Sequence, residues 1–309
     1  MKFNYYIVLS LLAWLSGCKS TEKVVYAPEK VIPTERALLW KITGNGLKKP
    51  SYLYGTIHMI PKDQFELAEA TRHAFDESKR IAFEINMKEM TNIGSQLSLM
   101  TKSFMSGGKT LKDLLSPEDY TFVKEKMTEK GLPGGMFERM KPMFLSMMFS
   151  SDEGDGADIM SGTGKITSVE MELHRMAKRR KMDSDGLETA AYQMSIFDSI
   201  PYTAQAQMLV DGLRSTDKSS DGNELDKMLQ LYKDQDISAM QSMVSDEKSG
   251  FANYEDVLLH QRNRNWIPIM SRMMREKQTF FAVGAGHLGG DQGVVALLRR
   301  QGYRVESAR

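Results

Sequence analysis

The sequence predicts an α/β fold in which two related α/β halves form a mixed sheet flanked by helices, with a helical insert between them. The first observation is the stretch Thr279-Phe-Phe-Ala-Val-Gly-Ala-Gly-His-Leu-Gly-Gly290, an apolar run ended abruptly by glycines. It reads as a buried strand entering a tight turn, and the helical spacing of Val294, Val295, Leu297 and Leu298 continues it into a helix. The second is its echo near the start, Tyr52-Leu-Tyr-Gly-Thr-Ile-His58. In both, Gly-x-x-His follows an apolar strand, which places His58 and His287 just past strand carboxyl ends, where open α/β sheets place their ligands. The third is the long stretch between them, which is mostly helical in pattern.

Taken in order, Lys2 precedes an apolar run from Tyr5 to Leu15, the length of a signal-peptide core and short for a membrane span. It ends in Leu15-Ser-Gly-Cys18, which resembles the lipobox of bacterial lipoproteins. Residues 1–17 are expected to be a signal peptide and Cys18 an acylated N-terminus. Several acyl chains on one residue anchor stably. Lys19 in place of Asp points to the outer membrane, facing the periplasm. Residues 18–34, polar and carrying Pro28 and Pro33, read as a tether to a domain spanning 35–309. Cys18 is the single cysteine, so no disulfide can form within the chain.

Ala37 to Ile42 and Ser51 to Tyr54 read as a hairpin around Asn45-Gly46. A helix is expected over about 64–78. Ile81-Ala-Phe-Glu-Ile85 is a strand with a carboxylate inside it, and Glu is costly to bury without a partner. Either Glu84 lies on an edge facing water, or it stands beside His58. An insert over about 88–165 is helical and closes with Met136, Phe137, Met140, Met143, Phe144, Met147 and Met148 at helical spacing. Core packing is the default account of that stripe; an adaptable substrate groove is the alternative. Ser150 to Lys165 is acidic and glycine-rich, fails the EF-hand pattern, and reads as a mobile loop with a lid as one role. A helix over 167–180, a polar strand over 181–189 and helices over 190–199, 202–213, 224–233 and about 254–275 follow. A short strand at 303–306 ends the chain.

Net charge of +1 and the lack of a basic cluster exclude nucleic acid as a partner. Two imidazoles and one carboxylate at strand ends make the smallest ligand set of a catalytic divalent metal, leaving a position open for water. His58, Glu84 and His287 are the candidates. Gly55, Gly284 and Gly286 are expected to let the backbone turn and approach a ligand closely. Amides opening the helix after His287 are candidates for holding a developing anion. One turn histidine alone would be read as structural; a matched pair among five favours a shared site. Arg262 offers a forked donor suited to a carboxylate or oxyanion, or else a solvated helix charge.

Leu39-Trp-Lys-Ile42, the first Gly-x-x-His run, the strand Glu84, Gly186-Leu-Glu-Thr189, Arg262-Asn263 with Trp266, and Val283 to Gly289 together resemble the TraB/GumN family, over about residues 35 to 307. Gln261 stands where that family usually has Glu. The family is related to the TIKI metalloproteases and more distantly to erythromycin esterase and the ChaN-like group. The resemblance implies a metal-dependent peptidase with His58, Glu84 and His287 in the site and Glu188, Arg262 and Asn263 nearby. Manganese, cobalt and zinc are the candidate ions, and a peptide or small amide or ester is the expected substrate. Two other readings stand beside it. One is a metal-free hydrolase with His58 as general base oriented by Glu84; the other is a protein that sequesters a peptide or cofactor without turnover.

Overall fold

A computed structural model describes residues 36–132, 134–150, 164–218, 224–245 and 250–308. The signal-peptide, Cys18 and tether expectations lie outside the described residues, as does the acidic loop at 151–163. In chain order the strands and helices are β1 (Leu39–Gly44), β2 (Ser51–Thr56), β3 (Ile60–Pro61), α1 (Glu69–Glu77), β4 (Arg80–Ile85), α2 (Met87–Thr91), α3 (Ile93–Lys102), α4 (Pro117–Glu129) and α5 (Pro142–Ser150). Next come β5 (Ile166–Thr167), α6 (Val169–Arg179), β6 (Asp183–Glu188), α7 (Ala190–Ile196), α8 (Tyr202–Lys218), α9 (Glu224–Lys233) and α10 (Ile237–Ser245). The last four are α11 (Gln261–Glu276), β7 (Thr279–Gly284), α12 (Val294–Arg300) and β8 (Tyr303–Ser307).

Six strands form one mixed sheet in the order β6-β4-β7-β2-β1-β8. β2, β7, β4 and β6 run parallel, while β1 pairs antiparallel with both β2 and β8. β7 lies in the interior of the sheet, and Thr279 to Val283 are all buried, as an unbroken apolar run requires when both faces are covered. The strand bearing the second Gly-x-x-His thus inserts beside the strand bearing the first, with Gly55 opposite Val283 and Thr56 opposite Gly284. Trp266, Met270, Met273 and Met274 of α11 join Val294, Val295 and Leu298 of α12 and the sheet in one core.

β6 shows why a polar strand survives here. Its Asp-Ser-Asp start lies on the sheet's edge, where charge discourages pairing with another chain. β6 pairs with β4 along its whole length, from Asp183 opposite Arg80 to Glu188 opposite Ile85, and only Leu187 in it is fully buried; a Cβ on Gly186 would meet the Asn86 backbone nitrogen at 2.4 Å.

The helical layer has a small core of its own, Leu111, Val123, Met127, Leu145, Leu209 and Val210. The methionine stripe is not one continuous helix. Pro142 opens α5, a position that suits its fixed φ and missing N–H, and Met140 before it is extended and bridges to Phe104. Met143 is buried and Met148 packs on the small core, whereas Met136 and Met147 are exposed. The helix expected over 64–78 begins at Glu69, after a single 3-10 turn at Lys62–Gln64. α10, which sequence periodicity did not reveal, packs against the His287 turn through Met240 and Ile237.

Candidate functional site

The carboxyl ends of β2, β4, β6 and β7 bring one polar cluster together. Glu84 points inward from β4 and is buried, which removes the water-facing alternative. Its Oε1 accepts the Gly284 N–H at 2.8 Å. Its Oε2 accepts Gln193 Nε2 at 3.0 Å and Arg262 Nη2 at 2.6 Å. Burial opposes the charge on Glu84, but the neighbouring cations and the Gly284 N–H outweigh it and hold the carboxyl well below the usual range.

His287 is buried in the 3-10 turn after β7, its ring 4.5 Å from that of Trp266. Asn263 Nδ2 donates to the carbonyls of His287 and Gln292 at 3.4 and 2.9 Å, which fixes Asn263 Oδ1 as an acceptor. His287 Nδ1 lies 2.6 Å from that oxygen and donates to it. The lone pair is therefore on Nε2, 3.8 Å from Glu84 Oε1. Burial lowers the His287 pKa to about 3, so the ring is neutral near pH 7.

His58 lies beyond β2, and 73% of its side chain is exposed. Its Nδ1 lies 2.8 Å from Glu170 Oε1, an atom that also accepts the Thr56 hydroxyl at 2.6 Å. The two-residue ladder of β3 with β5, and the Val169 N–H on the Ile57 carbonyl at 3.2 Å, bring the first turn of α6 to this point. Glu170 raises the His58 pKa to about 9. Sequence reasoning missed Glu170, because an acid in a helix's first turn reads as a dipole partner. No local sequence signal marks it, because the β3–β5 ladder that brings it to His58 pairs residues more than 100 positions apart. His58 is thus oriented by Glu170, not by Glu84 as the general-base reading required.

Arg262 is buried and all five of its donors are committed. Nε and Nη2 fork onto Glu188 at 3.0 and 2.6 Å, Nη2 also reaches Glu84, and Nη1 donates to the Leu258 carbonyl at 3.1 Å and to His287 Nε2 at 3.1 Å. The Leu258 carbonyl lies in a π-helical turn, Asp256–His260, that leads into α11. Such turns displace the regular hydrogen-bond ladder and recur at functional sites. Arg262 therefore offers no spare donor to an oxyanion in this arrangement. Glu188 is tied down a second time by Trp266 Nε1 at 3.0 Å, and burial lifts its carboxyl above the ordinary value despite the guanidinium.

Gly284 lies at the centre of the cluster. A Cβ there would meet Glu84 Oε1 at 3.2 Å, His287 Cδ2 at 3.6 Å and His58 Nε2 at 4.0 Å. Gly55 is needed for a different reason, since its Cβ would strike Leu288 at 2.8 Å. Gly286 has no such role: a Cβ would meet only the Met240 carbonyl at 3.9 Å, an ordinary contact. The helix expected to present amides beside His287 opens only at Val294, because Gly289 and Gly293 first pack the chain against itself.

The residue types, two imidazoles and a carboxylate, are those that ligate a divalent ion. Each imidazole commits Nδ1 to an acceptor, and His58 Nε2, the Cδ2 edge of His287 and Glu84 Oε1 border the space that the missing Gly284 side chain leaves, while His287 Nε2 faces Arg262. The ligands are not closed around a point: among the described residues no group of three or more His, Cys, Asp or Glu is near enough to hold an ion.

The chain is 24% identical over 343 residues to Metalloprotease TIKI1 of Danio rerio, covering 94% of this chain and 65% of that protein. Metalloprotease TIKI1 of Homo sapiens is 22% identical over 330 residues, covering 88% and 62%. The Metalloprotease TIKI homolog of Amphimedon queenslandica is 23% identical over 323 residues, covering 88% and 61%. The chain thus spans less than two thirds of the length of these relatives. No solved structure matches it significantly. Residues 38–307 match the family model, and the chain belongs to the TraB/PrgY/gumN family.

Proposed function

We propose that this protein is a metal-dependent hydrolase of the peptidase class, with His58, Glu84 and His287 as ligands of a divalent ion. The observation that carries the reading is the shared orientation of the two rings: each Nδ1 meets a fixed acceptor, Glu170 Oε1 or Asn263 Oδ1. His58 Nε2 and the Cδ2 edge of His287 thereby face the space beside Gly284 together with Glu84 Oε1, and an ion there would have to displace the proton that Glu170 favours on His58. The names of the TIKI relatives add the reaction class. When bound, such an ion supplies Lewis acidity to a scissile carbonyl and an activated water. The protein's own residues do the rest. Glu84 stays ionised at any working pH, Glu170 and Asn263 hold the rings in orientation, and the exposed edge of His58 is where substrate arrives.

The cell envelope is the proposed location, with Cys18 as a lipid anchor that tethers the domain to the outer membrane, facing the periplasm. Among the described residues no helix is long and apolar enough to cross a membrane.

The test is ion uptake and peptide-library hydrolysis by the mature protein, with manganese, cobalt and zinc supplied separately. His58→Ala and His287→Ala should each lose both uptake and turnover. Turnover by wild-type protein stripped of metal would sink the metal role and leave a hydrolase in which the Glu170–His58 pair acts as base. A protein that takes up no ion and turns over nothing, yet binds peptide, would leave only the sequestering reading.

A further inference from the structure

A second polar site lies in the helical layer, and none of its residues belongs to the cluster at the strand ends. Residues 103–105 run beside 139–141: the Lys141 N–H donates to the Ser103 carbonyl and the Met105 N–H to the Arg139 carbonyl, both at 2.8 Å. This pairing, directly before Pro142 opens α5, leaves Lys141 only 2% exposed. Its ammonium meets Asp198 Oδ1 at 2.5 Å, and Asp198 itself is half exposed on the 3-10 turn Phe197–Ser199. Lys141 and Asp198 both line a cavity of about 430 Å³, whose walls include Phe104, Ile200 and Tyr202 and whose edge carries the exposed Lys102. That volume is within the range of small-molecule sites.

A buried ammonium is costly unless its donors are used. Lys141 has three, and among the described residues Asp198 is its only side-chain partner. That carboxylate oxygen is shared as well: the Tyr202 hydroxyl donates to it at 3.3 Å, while the Tyr202 oxygen accepts the Ser106 N–H at 3.3 Å. With Lys102, the lining holds two cations against one anion. A cationic floor under apolar and aromatic walls selects a molecule with one negative group and one apolar body. We propose that this cavity binds a small apolar carboxylic acid, whose carboxylate takes the unused donors of Lys141 while its apolar part packs on Phe104, Ile200 and Tyr202. The site is separate from the hydrolase reading and does not rest on it.

Titration calorimetry of the full chain with 3-phenylpropionate and with its neutral amide, 3-phenylpropanamide, tests this. The carboxylate should bind tighter by at least roughly tenfold, the scale of one hydrogen bond to a charged group. Lys141→Met, close in volume, should abolish that preference. Asp198→Asn weakens the competing partner of Lys141 and should tighten carboxylate binding by roughly threefold or more, a measurement that stands even where Lys141→Met does not fold. Equal affinity for the two compounds in wild type, or binding of neither, overturns the proposal. So does a carboxylate preference that survives Lys141→Met, or an affinity unmoved by Asp198→Asn, because either puts the ligand elsewhere. None of these outcomes bears on the cluster around Gly284.

Discussion

Glu84 and Gly284 are joined across adjacent strands by a 2.8 Å hydrogen bond from the Gly284 N–H to the carboxylate. That contact ties the acid of β4 to the strand carrying His287, and it exists because no side chain stands at position 284. The cluster therefore depends on a glycine that neither reverses the chain nor takes up positive φ.

Gly284→Ala should consequently damage the site. Its Cβ would come within 3.2 Å of Glu84 Oε1, and moving the carboxylate breaks its contacts to Arg262 and Gln193. A destabilisation of about 1–3 kcal/mol is expected, together with loss of ion uptake. Urea unfolding and calorimetry would show it; unchanged uptake would mean that the space beside Gly284 is not where an ion binds.

Asn263→Ala should cost about 1–3 kcal/mol, because it leaves the buried His287 N–H without an acceptor. It also frees the ring to turn. A variant as stable as the parent, by thermal or urea unfolding, would contradict the assigned tautomer.

The ion-free protein should lose stability in mild acid through His287. Burial, with the Arg262 charge assisting and Glu84 opposing, sets its folded pKa at about 3 against an ordinary 6.5. Between these values the unfolded chain takes up a proton that the folded protein refuses, so stability falls as pH drops from 6.5 toward about 3. The Glu84 contribution also disappears in acid, but only below the ordinary carboxylate range. His287→Gln should flatten unfolding free energy across the upper part of that window. Parallel profiles for the two proteins would refute the assignment.

The His58–Glu170 pair works in the opposite direction. With a folded pKa of about 9 against 6.5, its contribution is complete below pH 6.5 and lost as pH rises through 9. His58 is largely exposed, so solvent screens the pair and the effect is small. Glu170→Gln should narrow the stability difference between neutral and alkaline buffers; an unaltered difference would remove Glu170 as the partner of His58.

The amino-acid sequence by itself determined the strands whose apolar residues leave no choice of environment, β1, β2, β4, β7 and β8, and the two Gly-x-x-His turns at their ends. Periodicity and turn chemistry are local, and they were sufficient there. They were insufficient for β6, whose polar start makes sense only at a sheet edge, and for α5, where Pro142 cut a periodic stripe that looked continuous. They also passed over α10 and Glu170.

Tertiary structure alone decided what each site residue touches. That β7 lies between β2 and β4, that Glu170 reaches His58 through β3 and β5, and that Arg262 spends every donor inside the protein are consequences of strand order and burial. Sequence spacing carries no record of contacts made across 25 to 200 residues, such as Arg262 on His287 or Glu84 on Gly284. A buried polar group must find its partner wherever the fold places one.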